Sequence, residues 1–521
     1  MLIDEWGDLM LAVTHTLALT GLEARLVRVE VDIHNGLPGF EIVGLASMAV
    51  KEARERVRSA IKNAGYVFPN RKITINLAPA DFKKEGSHYD LAMAMGILTA
   101  SDQLGAALPA NHFLAGELSL TGAVRGIPGV LSMALELEAL PADSCLIIPA
   151  SNGPEAALVE EVKSLQVSHL SELALFARGE ASLPPARNPN PVPPLDSCRS
   201  DQLDFAEVRG QETAKRALQI AAAGLHNVLM IGPPGGGKTM LARRMPGILP
   251  AMTRQEILET TRIYSVAGLL NSNHPLIISR PFRTPHKNAS AASIIGGGRI
   301  PHPGEISLAQ NGVLFLDELT EFNRDVLEAL RQPLEDKQVT IARAHATYTY
   351  PADFALVGSM NPCLCGNYGS EHECSCSPLQ IRRYIGRISG PLLDRMDLHV
   401  EVPRIHFDQL RGKLSSKGSD VIREEVRLAR EVQGRRFAGQ RYSLNSRMGP
   451  AAVKSYCQLD PESEHILKQA FSKFKMSGRA YDRILKVART IADLESSDTI
   501  KLPHLAEAIQ YRSLDRLNSN C

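Results

Sequence analysis

Gly232-Pro233-Pro234-Gly235-Gly236-Gly237-Lys238-Thr239 has the spacing G-x-x-x-x-G-K-T. It follows the apolar run Asn227–Ile231 (NVLMI) and leads into a helical stretch that begins at Met240 (MLARRM). Glycines so placed let successive backbone N–H groups turn inward and cradle phosphate oxygens at a helix N-terminus. Lys238 is then set to reach the β- and γ-phosphates and the Thr239 hydroxyl to ligate Mg²⁺. A second apolar run, Val313–Leu316 (VLFL), ends in Asp317-Glu318, and a third, Ala355–Met360 (ALVGSM), ends at Asn361. Asp317 suits the same Mg²⁺, Glu318 a water to be polarised, and Asn361 the positioning of that water. The fourth group is Cys363-x-Cys365 and Cys374-x-Cys376, separated by the polar loop GNYGSEHE. Four thiolates closed by one loop can form a tetrahedral Zn²⁺ site, with His372 as a substitute ligand. Redox-active or unliganded thiols are the alternative.

Strands that end in ligand residues call for an α/β fold whose site lies at the carboxyl ends of a parallel sheet. The clearest boundary is the stretch 181–200 (ASLPPARNPNPVPPLDSCRS), whose six prolines predict an extended spacer. It separates an N-terminal domain at 1–180 from an ATP-binding core at 201–405, with a C-terminal helical domain over 406–521. In the first domain, strands are predicted at Ala24–Ile33 and Lys72–Leu77 and a helix at Leu91–Ala100. The segment Ala115–Val130 reads as hairpin and turn. Another helix runs from an N-cap at Ser47 to a stop at Gly65, burying Val50, Ala53, Val57, Ala60, Ile61 and Ala64. Its other stripe, Lys51, Arg54, Arg58 and Lys62, is either a solvated face or a nucleic-acid contact.

Composition sets limits. A net charge of +1 over 521 residues gives no global basic field, so any nucleic-acid contact must be local. There is no run of about 18 apolar residues to span a membrane. The N-terminal MLIDEWGDLM lacks a basic region followed by an apolar core, so a cytoplasmic location is expected. Four of the eight cysteines crowd between Cys363 and Cys376, which favours metal over a disulfide framework.

The nucleotide-binding motifs resemble those of AAA+ ATPases, and within them the magnesium-chelatase-like group. Arg280–Glu318 (RPFRTPHKNASAASIIGGGRIPHPGEISLAQNGVLFLDE), Leu392–Asp397 (LLDRMD) and Ser477–Leu494 (SGRAYDRILKVARTIADL) carry the likeness. It extends through the N-terminal domain, where the chain is similar to the ComM/YifB family. The resemblance implies a Lon-protease-like, ribosomal-S5-domain-2-like α/β domain, an AAA+ P-loop core and a C-terminal helical lid. It further implies a homohexameric, ATP- and Mg²⁺-dependent DNA helicase that acts on single-stranded and branched DNA. Such a helicase drives branch migration in natural transformation and homologous recombination. By the same resemblance Arg395 is an arginine finger for the neighbouring subunit's γ-phosphate. Arg479 is the second sensor, with Arg483 as the near alternative. In the turn Gly86-Ser87-His88-Tyr89-Asp90, His88 stands at the position of the Lon nucleophile and Leu131 at that of its lysine, which implies a non-proteolytic relative. Gly236 stands where many relatives carry Ser or Thr, implying a more flexible loop.

The alternation in Lys337–Pro351 (KQVTIARAHATYTYP) suggests a hairpin of the kind that lines the pore in ring helicases. Arg343 and His345 are candidates for phosphate contact and Tyr348 and Tyr350 for base stacking, against the plainer reading of an ordinary exposed hairpin. Arg283, His286 and Lys287 are further candidates. Family members often read P-H-H where this chain has Pro285-His286-Lys287, and carry another basic residue where it has His345 and Asp353. The competing function is a chelatase-type motor that remodels a protein partner for Mg²⁺ insertion into a porphyrin. A non-enzymatic scaffold is disfavoured by the complete set Lys238, Asp317, Glu318, Asn361 and Arg395.

Overall fold

A computed structural model describes residues 10–187, 203–270, 275–298, 301–343, 346–369, 372–404, 417–440, 442–474 and 476–512. Most of the proline-rich spacer, His345 and the side chain of Arg343 lie outside the described residues. The N-terminal lobe is built on one mixed sheet. Its strands are β1 (Met10–Thr20), β2 (Glu23–His34), β3 (Gly39–Val43), β4 (Lys72–Ala78), β5 (His112–Leu114), β6 (Cys145–Pro149) and β7 (Lys163–Val167). Their order across the sheet is β3-β4-β2-β1-β5-β6-β7. The alternation in β2 sends Val27, Val29, Val31 and Ile33 to one face. That face is covered by α1 (Met48–Asn63) and α2 (Asp90–Ala100). Helix α2 is apolar nearly all round and correspondingly buried. Helix α1 is amphipathic, capped by the Ser47 side chain, and buries Val50, Ala53, Val57, Ala60 and Ile61. Each large side chain among these contributes about 2 kcal/mol of burial free energy. Part of the opposite face, Leu17, Phe113, Leu146 and Ile148, packs with α3 (Val130–Glu138).

The second lobe holds a five-stranded parallel sheet. Its strands are β8 (Val228–Ile231), β9 (Phe282–Arg283), β10 (Val313–Leu316), β11 (Ala355–Met360) and β12 (Leu398–Glu401), in the order β9-β10-β11-β8-β12. Strands β8, β10 and β11 are buried at every position, as expected of a parallel sheet with both faces covered. The helices α4 (Glu212–Gly224) and α5 (Lys238–Ile248) lie in the same core cluster. So do four C-terminal helices, α7 (Ser419–Arg436), α8 (Pro461–Lys473), α9 (Gly478–Leu494) and α10 (Leu502–Gln510). No helix among the described residues is long and apolar enough to cross a membrane.

The two lobes meet through α6 (Arg254–Val266) and α3. Ser265 donates to the carboxylate of Glu155, which also accepts from the Leu131 N–H at 2.8 Å. Burial pushes the Glu155 carboxyl up against these hydrogen bonds. Arg262 donates to the Leu22 carbonyl at 2.9 Å and to Ser132 at 3.2 Å.

The C-terminal helices are tied to the sheet by charge. Arg483 on α9 donates to Asp397 at 2.5 Å, and the Asp397 carboxylate also accepts the Asn227 N–H at 3.1 Å. Burial alone would raise the Asp397 carboxyl, but Arg483, His226 and the Asn227 N–H hold it far below the usual carboxylate range. Removing one partner of a buried pair leaves an uncompensated charge. Arg483→Ala should therefore lower unfolding stability by about 3 kcal/mol, read as a shift of the urea midpoint at neutral pH.

Candidate active site

The register of the parallel sheet decides which residues meet. Ile231 pairs with Met360, and Leu316 with Gly358, so the loops that leave β8, β11 and β10 emerge side by side. Gly232 follows the first strand, Asn361 the second and Asp317 the third. Gly237 takes a left-handed conformation (φ 88°) as N-cap of α5, so the helix opens with Lys238 and Thr239 facing the cleft. The cleft has a volume of about 390 Å³ and is lined by the phosphate-loop motif together with Met240, Asp317, Glu318, Ser359 and Asn361. Lys238 donates to the carbonyls of Gly232 at 2.6 Å and Pro233 at 3.0 Å, and to Asn361 Oδ1 at 3.3 Å. Burial lowers the pKa of this lysine against the opposing pull of Asp317 and Glu318.

The Asp317 carboxylate is held on both sides. Thr239 Oγ1 donates to one oxygen at 2.9 Å and Ser359 Oγ to the other. Ser359 Oγ also accepts the Glu318 N–H at 3.2 Å. A hydroxyl and a carboxylate so joined are hard oxygen ligands suited to Mg²⁺. A helix N-terminus, an ammonium and this oxygen pair together can hold a magnesium–polyphosphate. The backbone of Gly232 passes so close to Val402 that an added Cβ would lie 2.0 Å from its carbonyl oxygen. At Gly236 a Cβ would stand 2.9 Å from the same oxygen, and the Gly236 carbonyl accepts from Gln211 at 3.1 Å.

Arg395 and Arg479 are brought together, away from this cleft. Both line a separate hollow of about 180 Å³ with Glu335, Asp397 and Arg483. Arg395 is buried, donates to the Pro391 carbonyl at 2.7 Å and is ion-paired with Glu335. Arg479 is exposed, whereas Arg483 is committed to Asp397.

The four cysteines also converge. Their sulfurs all lie within 4.8 Å of one another, with Cys363–Cys365 at 3.3 Å, Cys363–Cys374 at 3.7 Å and Cys365–Cys374 at 3.6 Å. Zn–S bonds of about 2.3 Å at tetrahedral angles place sulfurs about 3.8 Å apart, so the donor set fits zinc. His372 does not belong to this group.

Comparison with known proteins now bears on the whole arrangement. Residues 204–410 match the family described as magnesium chelatase, subunit ChlI. Residues 29–152 match subunit ChlI of Mg-chelatase, and 416–512 the ChlI C-terminal family. The chain is 46% identical to the competence protein ComM of Haemophilus influenzae over 513 residues, covering 97% of this chain and 98% of that one. It is 45% identical to the uncharacterized protein YifB of Salmonella typhimurium, with the same coverage. The chain belongs to the ComM/YifB family, which is magnesium-chelatase-like. A more distant likeness, 22% over 346 residues, is to the magnesium-chelatase subunit ChlI of Cyanophora paradoxa, covering 61% of this chain and 91% of that one.

Against this family background, several residues singled out for DNA have other partners. Tyr350 is fully buried and its hydroxyl donates to the Pro301 carbonyl at 2.9 Å, so it offers no face for a base. Tyr348 lies against Gly21 at the β1–β2 turn, packed with Leu22 on the second lobe's core. The hairpin itself forms, Gln338–Arg343 pairing with Ala346–Pro351. Arg283 is locked to Glu305 by two hydrogen bonds of 2.7 and 2.8 Å. Lys287 reaches the nucleotide cleft, where its ammonium donates to Glu318 at 2.7 Å. Asp353 is ion-paired with Arg447. On α1, Arg54 donates to the Phe40 carbonyl at 3.4 Å and Arg58 lies 5.5 Å from the Phe68 ring centre, so half of the basic stripe is engaged with its own lobe. In the turn likened to the Lon nucleophile, His88 is buried and Ser87 donates to Glu117. Leu131 is buried core.

Sequence reasoning missed Ser359, Glu335 and Gln211. Ser359 was signalled by its place one residue before the end of an otherwise apolar strand. Glu335 and Gln211 carry no local signal, because their partners lie 60 and 25 residues away.

Lys238→Ala should weaken ATP binding at least about tenfold in a fluorescent-nucleotide titration, since the phosphates lose their buried cation. Glu318→Gln should keep binding but lower turnover by about a hundredfold. Hydrolysis by that variant at the parent rate would show that the carboxylate is not needed. Lys287→Ala frees the same carboxylate from its ammonium and should raise unstimulated turnover several-fold, measured by phosphate release.

Proposed function

We propose that the protein is an ATP-hydrolysing ring motor that moves on single-stranded and branched DNA. One observation supports the ring: the phosphate-binding cleft and the hollow holding Arg395 and Arg479 share no lining residue, so a site that uses Arg395 takes it from a second copy of the chain. A neighbouring copy supplies the complement. Lys238 and the N–H groups of α5 hold the triphosphate, Thr239 and Asp317 hold Mg²⁺, Glu318 polarises water and Asn361 orients it. Arg395 from the adjacent subunit leaves Glu335 to stabilise charge on the γ-phosphate. Arg479 is the accompanying sensor, because Arg483 is spent on anchoring α9 to Asp397. The four cysteines hold a structural Zn²⁺. A homohexamer is the assembly, in keeping with the family.

The similarity over nearly the whole chain to a competence protein supports the reading of DNA as the substrate. On this reading the motor drives branch migration during natural transformation and homologous recombination, in the cytoplasm. With Tyr350 buried and Tyr348 packed on the N-terminal lobe, the candidates for DNA contact are Arg343 and His345, and exposed lysines such as Lys51 and Lys62. Repeated around a ring, such modest contacts combine by multivalency.

Mixing Arg395→Ala protein with Lys238→Ala protein should restore a fraction of the ATPase activity, because interfaces that pair one intact half from each exist only in mixed rings. Full activity of a dilute monomer would overturn the shared site. Forked DNA should stimulate hydrolysis at low salt, the effect fading as salt rises because the contacts are to phosphate. If no single-stranded, duplex or branched DNA changes the rate, the motor instead remodels a protein partner in the manner of a chelatase subunit.

A further inference from the structure

The cysteine loop and the phosphate loop touch. Gly366, within the cysteine turn, comes so close to Pro234 that an added Cβ would lie 2.8 Å from the proline Cδ. Gly366 is left-handed (φ 81°), and its N–H donates to the Cys363 carbonyl at 3.1 Å. The Tyr368 N–H donates to Cys363 Sγ at 3.3 Å, so the turn is folded around that sulfur. Pro234 lines the nucleotide cleft, and so does Asn361, two residues before Cys363. The sulfur cluster therefore adjoins the cleft at two points.

Cys363 is fully buried, but Leu364 is 56% exposed, and Cys365, Cys374 and Cys376 are only half-buried. Ordering a polar loop costs about 1–2 kcal/mol per residue in backbone entropy. A cross-link offsets that cost, and four thiolates around a metal supply one. A metal so bound restrains the neighbours of the loop as well as the loop itself.

We propose that a zinc ion at Cys363, Cys365, Cys374 and Cys376 braces the nucleotide cleft, holding Pro234 through Gly366 and Asn361 through the chain. The proposal rests on the zinc reading and adds to it a role in nucleotide affinity. Loss of the metal releases the turn from Pro234 and loosens the phosphate loop, while the parallel sheet and its helices stay folded.

The test uses the full chain. Zinc content is measured on protein purified without added metal, and the affinity for a fluorescent ATP analogue is measured before and after chelation, with circular dichroism as the check on folding. The expected results are one zinc per chain and about tenfold weaker nucleotide binding after chelation, restored by adding Zn²⁺. Cys374→Ser/Cys376→Ser should lose the metal and show the same weakening. Unchanged affinity after zinc is removed overturns the brace while leaving the metal site standing. Absence of zinc from freshly purified, reduced protein overturns both.

Discussion

Everything at the cleft depends on one carboxylate held from two sides. Asp317 leaves strand β10, Ser359 belongs to the adjacent β11, and Thr239 starts the helix that follows β8, on the far side of β11. The two hydroxyls, one on each oxygen, tie three strand ends together across the sheet. Only a parallel sheet makes this possible, because it delivers every strand's carboxyl end to one edge. The Glu318 N–H joins the same set through Ser359. A shift of register by one residue would turn Ser359 to the opposite face and leave Asp317 with a single hydroxyl partner.

The basic groups divide according to what each carboxylate demands. Asp397 is buried and ionised, so it needs a permanent cation, and Arg483 supplies it. Asp493, buried within the C-terminal helices, is ion-paired with Arg436 and Arg489. The Arg483–Asp397 pair fixes α9 against the sheet and Arg436–Asp493 fixes it against α7, and together they set where Arg479 stands. Arg395 is different in kind: its partner Glu335 is 60% exposed and readily given up, which suits a side chain with a second destination. Lys287 and Glu318 form a similarly exposed pair at the cleft.

Contact between the lobes explains the positions of the tyrosines. The turn joining β1 and β2 reaches the hairpin of the second lobe, where Leu22 packs into that lobe's core and Tyr348 lies against Gly21. Glu155 and Arg262 secure the same contact through hydrogen bonds to the opposite lobe. A tyrosine in a strand is amphipathic, and once an apolar surface is at hand its ring is worth more buried than exposed.

The sequence by itself determined the α/β architecture of the core, the phosphate loop, the acidic pair at Asp317-Glu318, Asn361 and the cysteine set. Each of these is local: a short apolar run sets a strand, and the residues that follow it are placed by the strand's end. Helix α1, its Ser47 cap and its buried stripe were legible for the same reason, as periodicity and capping are properties of neighbouring residues. The partners of charged and aromatic side chains were decided only by the tertiary structure. Nothing near Lys287 in the chain indicates that Glu318, 31 residues on, will take its ammonium, nor that Arg283 will be claimed by Glu305. Alternation in the hairpin placed Tyr348 and Tyr350 on one face of it, but whether that face meets solvent or protein depends on segments as remote as Gly21 and Pro301. Hydrogen bonds and ion pairs form between whatever groups packing brings within about 3 Å, and packing is set by the whole chain.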